Sequence, residues 1–202
     1  FESTFSKSSL YGFSEKLDMH RYYVQILMKY GRYHRALVLY REMVQCGLTT
    51  HWKDRKRYVI DLHSFCRSTA TMALVDVLQE LKRECVQQGD HRLWQPAALS
   101  IIVGKGVHSE NPTIISDKFG SEISRVSPLE SHVLHTLAQI HPVLQAHKIA
   151  SKQGTLFLSD VVLSRFFAVK RRCNGNYNAL DCSEAEILKR IKVSSVVGSK
   201  HV

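Results

Sequence analysis

The sequence contains few of the residues that interrupt or cross-link a chain. Its 202 residues include 4 prolines and 10 glycines, and its 5 cysteines form no CxxC pair and no spacing typical of a zinc site. No apolar run approaches the roughly 18 residues that a membrane-spanning helix needs. Scattered cysteines in an odd number are typical of reduced thiols. We therefore expect a protein of an interior compartment, without a disulfide framework, metal ligands or a membrane contact.

Negative charge is also scarce. Asp and Glu number 18 against 28 Lys and Arg, so the net charge is +10 with the 11 histidines neutral. Such a domain is a candidate for binding polyanions, since each Lys or Arg near a phosphate releases condensed counterions. A basic protein without a nucleic-acid partner is the alternative. We interpret His132 and His135, one helical turn apart, as surface residues, because no Cys or carboxylate joins them at metal-ligand spacing.

Two short apolar runs that end in polar or glycine-rich residues organise the middle of the chain. These runs are residues 58–63 and 99–106. Between them, residues 68–86 repeat apolar side chains at three- and four-residue steps, which predicts an amphipathic helix. Strand, helix and strand in this order predict a right-handed βαβ unit with parallel strands. Asp61 and His63 would then meet the second strand's glycine-rich end at one edge, where open sheets bind ligands.

The flanking residues add helices and strands. Residues 1–16 have little pattern and predict an irregular segment, and residues 16–47 predict two helices. Each of these helices precedes a glycine, which suits the left-handed backbone position at a helix end. Residues 110–125 are typical of a long polar loop. The other expected elements are a helix from Ser127 that Pro142 ends, short strands within 143–149 and 155–158, and a helix over 159–172.

Residues 31–47 resemble the pentatricopeptide repeat. The residues that match its G, A, aromatic, M and G positions are Gly31, Ala36, Tyr40, Met43 and Gly47. Members of this family bind single-stranded RNA, one base per repeat. At two base-reading positions this chain has Arg21 and His51, where the family favours small polar residues and Asp or Asn. The resemblance therefore implies a phosphate contact by Arg21 rather than base reading. Packing of the hairpin against the next domain is the alternative.

Residues 58–172 resemble the small MutS-related (Smr) domain. Four of its motifs occur in order, namely LDxH at 60–63, TGxG with its KHS-like sequel at 103–109, a helix start at 126–130 and a closing strand at 153–158. A pentatricopeptide repeat followed by an Smr domain resembles organelle proteins known mainly from plants and algae. The resemblance implies an α+β fold: a helical hairpin over 1–51, a basic linker over 52–57, a βαβαββ-type Smr domain over 58–172 with a C-terminal helix, and a tail over 173–202.

Candidate binding residues follow from these motifs. The turn at 104–106 can cradle a phosphate through unobstructed backbone N–H groups, and basic side chains near the strand ends can contact the nucleic-acid backbone. A solvated charge run is the alternative for residues 52–57. The residues expected to bind nucleic acid are Arg21, Lys53, Arg55, Lys56, Arg57, Gly104, Lys105, Gly106, His108, Lys170, Arg171 and Arg172.

The resemblance implies either binding or cleavage of RNA. Some Smr domains are nucleases that act through the LDxH motif. In this chain Asp61 would hold a divalent metal such as Mg²⁺ or orient a water, and His63 would serve as general acid or base. Ser64 stands where that family has glycine and Val103 where it has threonine, which favours binding without cleavage.

We therefore expect a nucleic-acid-binding protein of organelle gene expression, with RNA favoured over DNA. It would act alone or as a subunit of an organellar polymerase or ribosomal complex. The resemblance implies the chloroplast, with the mitochondrion as the alternative location. A metal-dependent endoribonuclease that uses Asp61 and His63 is the alternative function.

Overall fold

The computed structural model describes residues 2–87, 98–104, 113–115, 124–140, 143–149 and 151–168. Within these ranges the chain has a mixed α+β fold, as the sequence predicts. The helices are α1 (Glu2–Lys29), α2 (Tyr33–Gln45), α3 (Arg67–Gln87), α4 (Pro128–Gln139) and α5 (Asp160–Ala168). The strands are β1 (Trp52–Asp54), β2 (Val59–Asp61), β3 (Leu99–Ile102), β4 (Thr113–Ile115), β5 (Ser124–Val126), β6 (His147–Lys148) and β7 (Thr155–Leu158).

Helices α1 and α2 form the expected hairpin. Gly31 adopts a φ of +68° between them, a left-handed conformation that a side chain would strain. One face of α2 is buried at helical spacing, through Tyr33, Ala36, Leu37, Tyr40 and Met43. The prediction of an irregular segment over 1–16 is wrong, because α1 begins at Glu2. Those residues include no proline, so nothing in them stops a helix that the later turns have nucleated.

The central sheet has the strand order β1-β2-β3-β7-β6. Strands β2 and β3 are parallel, with Asp61 opposite Ile102, and α3 is the connection between them. The predicted βαβ unit is therefore confirmed. The other pairs in this sheet are antiparallel. Its two edge strands are short, since β1 has three residues including Lys53 and β6 has two, including Lys148.

Two segments that the sequence marks as irregular contain strands. Trp52 to Asp54, expected in a linker, form β1 beside β2. The reason is that the Trp52 indole packs on Tyr58, with ring centroids 6.4 Å apart, and only alternate residues of an edge strand need such contacts. The expected loop over 110–125 includes the paired strands β4 and β5, whose Thr-Ile-Ile run has strong strand propensity.

The core lies between the sheet and its helices. Helix α3 supplies more of its buried apolar residues than any other element of the described ranges, and among them Ala70, Ala73, Leu74, Val77, Leu78 and Leu81 are all at most 1% exposed. Burying each large aliphatic side chain contributes about 1.5–3 kcal/mol. Helix α4 begins as predicted, with Pro128 in its first turn after Ser127, although the Ser127 hydroxyl makes no capping bond. No helix in the described ranges is long and apolar enough to cross a membrane.

Candidate functional site

Asp61 and His63 meet at the end of β2, as the sequence predicts. Leu62 between them is fully buried, so the alternation of an extended chain turns both neighbours to the opposite face. The Asp61 Oδ1 atom lies 2.6 Å from His63 Nδ1 and 3.1 Å from the His63 backbone nitrogen. The imidazole is 61% exposed and the carboxylate 20% exposed. The pair is therefore preorganised and open to solvent.

Gly104 packs directly against this pair. It has a φ of +79°, and a Cβ atom built on it would lie 3.3 Å from the His63 Cβ. The close approach follows from the parallel pairing of β2 and β3, which brings their carboxyl ends together. The Leu62 N–H donates to the Ile102 carbonyl at 2.8 Å and holds the two strand ends in register. The expected meeting of both strand ends is thus present.

Two cations flank the pair. Lys53 Nζ lies 3.8 Å from Asp61 Oδ2, and its side chain is 58% exposed. Arg21, on α1, donates from NH2 to the Ser64 carbonyl at 3.4 Å, and its NH1 lies 3.6 Å from an Asp18 oxygen. We call the group of Arg21, Lys53, Asp61, His63 and Gly104 the strand-end surface.

The other basic residues of the 52–57 segment lie elsewhere. Arg55 stacks on Trp52, with its guanidinium carbon 4.0 Å from the ring centroid, and pairs with Glu80 and Glu84 on α3. Lys56 and Arg57 are exposed in the turn that precedes β2, at the opposite end of that strand from Asp61. Among the contacts between described residues, Lys53 is the one basic residue of this segment that reaches Asp61.

Several expected binding residues lie outside the described ranges. They are Lys105, Gly106, His108, Lys170, Arg171 and Arg172. The His51 side chain is only 1% exposed, so this position does not present a base-reading group to solvent. That burial agrees with the interpretation that this repeat does not read a base.

A buried polar cluster has no counterpart in the sequence predictions. Side chains of His51, Asp76 and Glu80 offer nitrogen and oxygen atoms that all lie within 4.8 Å of one another. Burial lowers the pKa of His51, while Glu80 and Asp76 oppose that shift. Burial also raises the pKa of the neighbouring Tyr40 hydroxyl above its usual range. In the sequence, the four-residue spacing of Asp76 and Glu80 places both carboxylates on one face of α3. This spacing does not indicate that His51 packs beside them.

His132 is only half exposed, because its ring packs between two helices, whereas His135 is exposed as predicted. His132 Nε2 lies 2.9 Å from the Thr71 hydroxyl and 3.0 Å from the Arg67 carbonyl, so the ring joins α4 to α3. Burial lowers the pKa of His132. This histidine therefore serves packing between helices.

The strand-end surface can perform two kinds of chemistry. The exposed Lys53, the half-buried Arg21 and the backbone of Gly104 can hold a phosphate group. The Asp61 carboxylate accepts a hydrogen bond from His63 Nδ1, which leaves Nε2 unprotonated in the neutral ring and able to accept a proton. Comparison of the whole chain with protein-family models, curated proteins and solved structures gives no match to any of them.

Proposed function

We propose that this protein binds nucleic acid, RNA in preference to DNA, through the strand-end surface. The observation that carries the proposal is the convergence of Lys53, Arg21 and the positive-φ Gly104 at the exposed Asp61–His63 pair. Such a group offers two separate cations and the backbone of a glycine to successive phosphates. The net charge of +10 adds a long-range attraction for any polyanion.

The biological setting is proposed from the resemblance alone. A helical hairpin followed by a parallel β2–β3 unit is compatible with a pentatricopeptide repeat joined to an Smr domain. On that basis we propose a role in organelle gene expression in the chloroplast, with the mitochondrion as the alternative. The protein would act alone or within an organellar polymerase or ribosomal complex.

Salt-dependent binding tests the proposal. Single-stranded RNA and DNA of equal sequence are titrated against the protein from about 50 to about 200 mM salt, a range over which phosphate contacts weaken binding steeply. Arg21→Ala and Lys53→Ala should each weaken binding several-fold and reduce the salt slope by roughly one charge. Arg83→Ala is the matched control. Helix α3 starts close to the strand-end surface, and Arg83 lies about 24 Å further along the axis of this helix.

Three outcomes separate the options. Loss in both variants but not in the control supports the strand-end surface. Equal binding by the parent protein and the three variants contradicts it, because RNA would then bind at another part of the protein. Failure of the pure protein to bind RNA or DNA, with copurification of a large complex, favours the role as a subunit that contacts protein.

Endoribonuclease activity is the second candidate, favoured by the 2.6 Å contact between His63 Nδ1 and Asp61 Oδ1. Asp61 would fix the ring so that His63 Nε2 takes the proton of a ribose 2′-hydroxyl. The freed oxygen would attack the adjacent phosphorus to form a 2′,3′-cyclic phosphate, and the P–O bond to the 5′-oxygen of the next nucleotide would break as that oxygen takes up a proton from solvent. The residues present do not favour Mg²⁺ here. No third ligating side chain of the described residues joins the pair, and the Lys53 ammonium faces Asp61 Oδ2.

A substrate with one 2′-deoxy nucleotide tests this candidate. Cleavage should stop at that position, and His63→Ala and Asp61→Asn should lower the rate by about 10²- to 10⁴-fold while RNA binding remains. Persistence in a chelator is expected for the metal-free route. Loss of cleavage in the chelator would restore the metal-dependent form, and no cleavage under any condition removes the candidate.

A further inference from the structure

The buried cluster of His51, Asp76 and Glu80 lies apart from the strand-end surface side chains. His51 precedes β1, and the two carboxylates stand one turn apart on α3. The relative exposures of His51 and Asp76 are 1% and 4%. Three potential ligands from two distant parts of the chain therefore converge at the junction between the hairpin and the sheet.

The His51 ring has one satisfied nitrogen and one unsatisfied nitrogen. Nδ1 lies 2.9 Å from the Tyr40 hydroxyl. Nε2 is buried and has no hydrogen-bond partner, and its nearest carboxylate oxygen, Glu80 Oε1, is 3.9 Å away. A buried polar atom without a partner costs about 1–3 kcal/mol, so its persistence calls for an explanation. An unpartnered ring nitrogen beside two carboxylates, in a group whose ligating atoms lie within 4.8 Å of one another, is the arrangement of a metal site.

Surrounding groups orient each potential ligand. Arg41 Nε donates to Asp76 Oδ1 at 2.7 Å, and Trp52 Nε1 donates to Glu80 Oε2 at 2.8 Å. When the Tyr40 oxygen accepts the Nδ1 proton of His51, the Nε2 lone pair is available. Hydrogen bonds of this kind fix metal-ligating imidazoles and carboxylates in proteins.

Two arginines compete with a cation for these carboxylates. Arg41 contacts Asp76, and Arg55 NH2 lies 3.5 Å from Glu80 Oε2. Their side chains are 29% and 37% exposed, so each can turn toward water when an ion binds. An ion can reach the carboxylates through a cleft of about 460 Å³ that is lined by Arg41, Val44, Gln45, Asp76, Gln79, Glu80 and Arg83.

We propose that His51 Nε2, Asp76 and Glu80 bind one divalent transition-metal ion, with Zn²⁺ as the ion that this donor set suits best. One imidazole and two carboxylates supply three ligands, and a water completes a tetrahedral shell. Bonds of about 2.0–2.1 Å require the ligand atoms to approach one another from their present separations, which reach 4.8 Å. The bound ion would tie the segment after α2 to α3 and so stabilise the junction.

Zinc titration of the chelator-treated, desalted protein tests the proposal. We expect one Zn²⁺ per chain in calorimetry and a thermal unfolding midpoint that rises with Zn²⁺ concentration. Glu80→Gln and Asp76→Asn should each weaken this binding about tenfold or more. Co²⁺ should give the visible absorption of a tetrahedral site in the parent protein and lose it in both variants.

Matched controls distinguish this site from other histidines. Glu42→Gln replaces an exposed carboxylate on α2, outside the cluster, so it should leave Zn²⁺ affinity unchanged. His63→Ala should also leave it unchanged, which separates this proposal from any metal at the strand-end surface. Glu80 is 27% exposed, so Glu80→Gln is the variant least disruptive to folding, and circular dichroism checks it. Absence of stoichiometric Zn²⁺ binding, equal binding by Glu80→Gln, or loss in His63→Ala would each overturn the proposal.

Discussion

Two histidines on either side of β1 and β2 show how burial changes the role of the same side chain. His63 is 61% exposed and its Nδ1 contacts Asp61, whereas His51 is 1% exposed and its Nε2 has no hydrogen-bond partner. The Asp61 N–H donates to the His51 carbonyl at 2.8 Å, so one backbone hydrogen bond links the two sites. The open pair can exchange protons and ligands with water. The buried ring contributes to packing and requires polar partners inside the protein.

The largest expected difference between the two sites is in stability. His51→Ala should lower the free energy of unfolding by about 2–4 kcal/mol, because it opens a cavity and leaves the buried Tyr40 hydroxyl without its partner. His63→Ala should change that free energy by less than about 0.5 kcal/mol. Urea unfolding of both variants measures the difference. Equal losses would show that the two rings do not differ in packing.

Acid should destabilise the protein through the buried His51 and the half-buried His132. Burial lowers the pKa values of His51 and His132 below their ordinary 6.5, so the unfolded chain takes up their protons first. Stability contributed by each neutral ring is full above pH 6.5 and falls as the pH drops toward the folded-state pKa. The loss is at most about 1.4 kcal/mol per pH unit for each ring.

Urea unfolding between about pH 7.5 and 5 measures this loss. His132→Gln removes one of the two titrating rings, so its stability should fall less steeply with acid than that of the parent protein. Gln25→Ala, at an exposed and uncharged position of α1, is the control and should keep the parent slope. An equally steep slope for His132→Gln and the parent would contradict the assignment.

Gly104→Ala should lower the free energy of unfolding of the protein by roughly 1–2 kcal/mol. A side chain disfavours the φ of +79°, and its Cβ would press on the His63 Cβ at 3.3 Å. Gly12→Ala is the matched control, since a Cβ at Gly12 has no neighbour within 4 Å. Because Gly12 lies inside α1, its replacement should stabilise the helix by roughly 0.5–1 kcal/mol. Thermal unfolding of the two variants should therefore shift in opposite directions.

A small effect on stability is also expected for Asp61→Asn. The exposed Asp61–His63 pair should contribute less than about 1 kcal/mol, because water screens it. Asp76→Asn should lower the free energy of unfolding by more than Asp61→Asn does, since the Asp76 side chain is 5% exposed and pairs with Arg41. Guanidinium unfolding of both variants gives the comparison. A greater loss for Asp61→Asn would show that the exposed pair supports the fold.

The strand-end pair was predictable because its contacts depend on local spacing and one parallel pairing. Alternation along β2 sets the faces of Asp61 and His63, and the βαβ rule brings Gly104 beside them. The length of α1 was not predictable, since its first half lacks the apolar periodicity that marks a packed helix. Strand β1 was not predicted because two of its three residues, Lys53 and Asp54, are charged, whereas the indole of Trp52 decides how the strand packs.

The buried cluster could not be derived from spacing. His51 lies 25 residues before Asp76 in the sequence, and only the packing of the hairpin on α3 brings them together. Arg55 illustrates the same limit. The sequence indicates a cation in a basic run, while its stacking on Trp52 and pairing with Glu84 depend on a helix about thirty residues further along.

The short outer strands of the central sheet have a consequence for self-association. A strand from another molecule could pair with only three residues of β1 or two of β6, and it would meet the ammonium group of Lys53 or Lys148 there. Such edges give little backbone hydrogen bonding and require a charge to be desolvated. Both edges of the central sheet are therefore poorly suited to growth by strand addition.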